Sequence, residues 1–86
     1  MKVVVEQQSS EGLESYLGKE ISVWCLNYIY TGKLVGINES CIKLEDASIV
    51  YLTGSFSEGG WSDAQAFPWG AHYVQVAAIE SFGSVK

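Results

Sequence analysis

At 86 residues the chain has room for one domain and one core, and folding at this size removes only about 60–65% of the unfolded surface from water, so further support is expected. Hydrophobic residues make up 48% and aromatic residues 13%, with a single proline, a composition that excludes a disordered or fibrous chain. Ten acidic residues against five lysines, without any arginine, give a net charge of −5, which is a handicap for a polyphosphate binder.

Taken in chain order, residues 2–7 (KVVVEQ) carry three consecutive valines and predict a short strand. Ser9 or Ser10 is placed to cap a helix over residues 11–17, with Glu11 and Glu14 near its positive end and Gly18 as its left-handed stop. Leu13, Tyr16 and Leu17 would form its apolar stripe, which Gly12 weakens. Residues 18–47 then read as three strands with almost no connection between them. Ile21, Val23 and Cys25 alternate with Ser22, Trp24 and Leu26 in the first. The second, over residues 28–38, is interrupted by Gly32 and Gly36, which mark a bend or bulge. Leu34 and Ile37 are three apart and face the same side only if one extra residue is inserted near Val35 and Gly36. In the third strand Ile42 and Leu44 oppose Lys43 and Glu45, and residues 48–53 continue or restart it. A strongly bent meander of this size predicts a mainly β protein whose sheet curls into a small open barrel. Its expected core is Ile21, Val23, Leu34, Ile37, Ile42, Leu44, Val74 and Ile79.

Gly18-Lys19-x-Ile21-x-Val23, then Gly32-x-Leu34-x-x-Ile37, then Leu44-x-Asp46-Ala47 resembles the first motif of the Sm and Sm-like proteins, including the LSm and Hfq-type members. The apolar segment 73–82 stands where that family has its second motif, so the resemblance spans residues 10–83 as a spaced pattern. It implies a single Sm-like domain over residues 1–86: an N-terminal helix followed by five strongly bent antiparallel strands. It further implies a head-to-tail homo-oligomeric ring, which we expect to hold about five to seven subunits. Tyr73, Val74 and Val76 would then sit at the subunit contact. The family's RNA-contacting residues do not match. Gln75-Val76 stands in place of the Arg-Gly pair of Sm proteins, and Val76-Ala77 in place of the Lys-His of Hfq-type proteins. Asn38 replaces the usual aspartate, and the base-clamping asparagine falls at Cys41 or Ile42.

Residues 54–71 break every regular pattern, yet hold Phe56, Trp61, Phe67 and Trp69. A long loop this rich in aromatics is either packed against a barrel end or a subunit contact, or is a stacking platform for bases or another planar ligand. Candidate ligand or RNA-binding residues are therefore Asn38, Cys41, Trp61, Phe67, Trp69, His72 and Tyr73. Enzymatic chemistry finds little material. His72 is the only histidine, and Cys25 and Cys41 lie inside strand patterns without paired-ligand spacing, reading as buried free thiols. Glu45 and Asp46 are strand neighbours that point to opposite faces. No glycine-rich loop precedes a helix, so no phosphate cradle is expected. We therefore expect a non-catalytic protein without metal or cofactor, a ring-forming scaffold that binds itself and another protein, with RNA binding through non-family residues as the alternative. Residues 1–8 lack the apolar core of a signal peptide, and no apolar run is long enough for a membrane span, so a cytoplasmic location is expected.

Overall fold

The computed structural model describes residues 11–84. The strand expected over residues 2–7 and the capping Ser9 or Ser10 lie outside them. The described chain is mainly β, with six antiparallel strands: β1 (Glu20–Cys25), β2 (Ile29–Ile37), β3 (Cys41–Leu52), β4 (Asp63–Ala66), β5 (Ala71–Gln75) and β6 (Ile79–Gly83). They form one sheet in the order β4-β3-β2-β1-β6, with β5 also paired to β3. No helix among the described residues is long and apolar enough to cross a membrane.

The N-terminal helix is not formed. In its place is one 3-10 turn, Leu13–Tyr16. Gly12 and Gly18 both take positive φ, +77° and +83°, and leave too few residues between them for an α-helix to repeat. The Ser15 hydroxyl donates to the Gly12 carbonyl at 2.6 Å, which satisfies a backbone group that a longer helix would have used. The turn still delivers its apolar side: Leu13 is buried and Tyr16 packs edge-on to Phe82, at 6.1 Å between centroids, while Leu17 stays exposed.

Two irregularities curl the sheet. The Leu34↔Leu44 pair is followed by Gly36↔Lys43, so Val35 is the extra residue that brings Leu34 and Ile37 inward. On β3 the surplus is Asp46-Ala47, opposite Gly32 alone, and Asp46 takes φ +50° to make the kink. A Cβ on Gly32 would lie 3.0 Å from the Glu45 carbonyl oxygen and 3.1 Å from Ala47 Cα, so the close approach of the two strands requires glycine. The kink divides β3. Its first half, Cys41 to Glu45, pairs with β5, and its second half, from Ser48, pairs with β4.

The segment 54–71 is therefore not a loop throughout, since β4 lies within it and gives the sheet six strands rather than five. Nor does the sheet close into a barrel. β6 pairs with β1 and β5 with β3, and the short 3-10 turn Val76–Ala78 crosses between them without a ladder. Ile21, Val23, Leu34, Ile42, Leu44, Ala47 and Val74 form the core with Leu13, and Ile37 and Ile79 pack against it half-buried. Behind β1 and β2, buried Ser22 and Thr31 are hydrogen-bonded, with the Thr31 hydroxyl donating to the Ile21 carbonyl at 3.2 Å.

Gly32→Ala should lower stability by about 1–3 kcal/mol through the forced separation of β2 and β3. Leu44→Ala, at a fully buried position, should cost about 2–5 kcal/mol. Urea titrations followed by tryptophan fluorescence measure both.

Candidate functional site

The fold gathers the candidate residues into separate places. Phe67, which follows β4, is held by its N–H to the Ala47 carbonyl at 2.9 Å, and His72 sits on β5, so the divided β3 brings the two together. Their rings stack at 4.1 Å between centroids and 18°. Trp69 stacks on the Phe67 ring at 4.9 Å and 19°, and Tyr30 of β2 lies 5.3 Å from His72. The Trp69 indole N–H also donates to His72 Nδ1 at 3.2 Å, which in the neutral imidazole places the proton on Nε2 and disfavours protonation of Nδ1. Burial pushes the His72 pKa below its ordinary value in the same direction. Trp69 remains about half exposed, at 52%, so one end of this aromatic column is open to a planar partner.

Trp61 does not belong to the column. Its ring lies 6.4 Å from that of Trp24, and Phe56 lies 6.0 Å from Trp24 on the same side. These loop aromatics cover an indole on β1 that the sequence alone leaves exposed.

Asn38, Cys41 and Tyr73 do come together, around a cavity of about 230 Å³ with Ile37 and Lys43. Asn38 is committed to structure: its Oδ1 accepts from the Ser40 N–H at 2.8 Å, the Ser40 hydroxyl at 3.0 Å and the Cys41 N–H at 2.9 Å, which holds the β2–β3 turn. Tyr73 presents its ring outward, whereas Val74 gives its side chain to the core and Val76 packs against the core half-buried. Of the three residues expected at a subunit contact, only Tyr73 has an outward side chain, and Val74 would contribute main chain.

A larger cavity, of about 690 Å³, has no counterpart in the sequence analysis. It opens between the β1–β2 turn and the crossover from β5 to β6, with Cys25, Tyr28 and Tyr30 on one side and Val74, Gln75 and Glu80 on the other. Cys25 is half-buried, and burial followed by the negative charge of Glu80 raises its thiol pKa, which makes it a poor nucleophile at neutral pH. Burial, then the charges of Cys25 and Tyr28, raises the Tyr30 phenol likewise. The lining comes from β1, β2, β5 and β6 together with the β1–β2 turn and the 3-10 turn before β6. Among the described residues, no three His, Cys, Asp or Glu side chains are grouped to hold a metal ion.

Comparison with protein-family models, curated proteins and solved structures finds no match to this chain.

The histidine sets a pH dependence. His72 is held below its ordinary value in the folded chain, so as pH falls through about 6.5 the unfolded chain takes up a proton that the folded one refuses. Stability from this group is thus complete above that pH and lost on acidification. The melting temperature should fall between about pH 7.5 and about pH 5 by less in His72→Phe than in the parent, as read by circular dichroism.

Proposed function

We propose that the chain is a non-catalytic Sm-like assembly module whose copies join head to tail into a ring of about five to seven subunits and present a surface to another protein. The carrying observation is a pair of strand edges. β5 pairs with β3 on one side and β6 with β1 on one side, and among the described residues neither has a ladder on its outer side. The β5 segment AHYVQ carries no formal charge at neutral pH, and its Tyr73 is 59% exposed; β6 has one charge, Glu80, beside exposed Phe82. Unblunted edges of this kind are satisfied by another strand. Strand β5 of one copy against β6 of the next would satisfy both and leave no end, provided the rotation closes. The strand order, with two β3 halves and a short turn between the last two strands, fits the family resemblance carried by Gly18, Gly32, Leu34 and Leu44.

The aromatic column favours a second reading, an RNA-binding ring that stacks bases on Trp69 rather than on family residues. Net charge and the absence of arginine count against it.

Light scattering on a dilute sample should give a mass several times the 9.4 kDa of one chain, unchanged on dilution. A monomer at every concentration would refute the ring. In a titration with oligo-U at physiological salt, binding should be weak or absent, and any that occurs should drop by about 1–3 kcal/mol in Trp69→Ala. Submicromolar binding indifferent to that substitution would place the RNA elsewhere.

A further inference from the structure

The larger cavity combines a size, a wall and a charge that together select a ligand class. At about 690 Å³ it is within the range of small-molecule sites. Two tyrosines line it, Tyr28 and Tyr30, with ring centroids 6.4 Å apart and planes at 60°, so their faces are splayed like two walls of a corner. Opposite them stand the apolar Val74, Ala77 and Ala78. Among the described residues, the only charged group in the lining is the Glu80 carboxylate, and no lysine contributes. Tyrosine faces and a carboxylate each attract positive charge and repel negative charge. The net charge of −5 adds to the same sign at longer range.

We propose that this cavity binds an organic cation, an ammonium or quaternary ammonium group on an apolar body. The cationic head lies in the Tyr28–Tyr30 corner facing Glu80, and the body lies against Val74, Ala77 and Ala78. Asn27 and Gln75, also in the lining, supply neutral amide oxygens that accept hydrogen bonds from a primary ammonium. The Glu80 carboxylate repels an anion here, which separates this site from any nucleic-acid surface on the molecule. The site is complete within one chain, so it goes beyond the ring reading and does not depend on it.

The test is a nuclear magnetic resonance titration of the full chain with benzyltrimethylammonium and, separately, with dimethyl benzyl carbinol, its neutral near-isostere. The ammonium should shift the Ala77 and Ala78 amides and bind roughly tenfold more tightly than the carbinol. Glu80→Gln should shrink that preference several-fold with the melting temperature unchanged. Tyr28→Leu, at a position 46% exposed and outside the core, should weaken the ammonium while sparing the carbinol. Equal affinity for the two probes would overturn the proposal. So would ammonium binding that leaves Ala77 and Ala78 unmoved, or no binding at millimolar concentration. Light scattering on the same samples reports the ring independently, so its failure and that of the cavity are told apart.

Discussion

The close passage of β2 over β3 at Gly32 is the constraint from which the remaining architecture follows. With 3.0 Å between a notional Cβ and the Glu45 carbonyl oxygen, the backbones can approach only because a side chain is missing. Asp46 absorbs the resulting kink in a left-handed conformation, and β3 thereafter points in a new direction. One strand can then serve two partners on the same edge, β5 before the kink and β4 after it. The partnership explains why Phe67, just after β4, and His72, on β5, end in face-to-face contact beside Tyr30.

The same bend sorts the aromatic residues by role. Tyr30 and Phe67 lean on the core, His72 lies against both rings, Trp69 caps them, and Tyr28 carries the series outward to Tyr51, 6.5 Å away. On the other side of the sheet, the rings of Phe56 and Trp61 approach Trp24, so the glycine-rich segment touches β1 through two rings while residues 54–60 stay exposed. The rings are thus in contact with one another on both faces of one sheet, and none of them is fully buried.

Much of this was legible in the sequence, and the reason is local. Alternation over Ile21, Val23, Ile42 and Leu44 located the core because these side chains share its inward face, although Ser22 on the other face of β1 is buried as well. The spacing of Leu34 and Ile37 located the bulge, since a period of two cannot otherwise face both inward. The short helix was a misreading of an apolar stripe of which Leu13 and Tyr16 turn inward and Leu17 does not: Gly12 and Gly18 bracket it too tightly. Strand β4, the short DAQA segment, has no β-branched residue and no buried position, so nothing in its own composition marks it. It is a strand because β3 offers it an edge. The large cavity was illegible for a related reason: Cys25, Tyr30, Val74 and Glu80 each read as ordinary strand positions, and Val74 comes from β5, which pairs with none of the strands that carry the other three.

The placement of the tryptophans gives the molecule two natural chromophores in separate neighbourhoods. Trp24 and Trp61 face each other at 69° across the outer surface, a geometry in which two indoles couple optically, whereas the Trp69 indole is hydrogen-bonded to an imidazole on the other face. The near-ultraviolet signal of the first pair follows the lifting of the glycine-rich segment from β1. The emission of the third follows the protonation state and packing of the column. Detachment of one layer and loosening of the other are thus distinguishable by colour and handedness of absorption, without a label and without altering a residue.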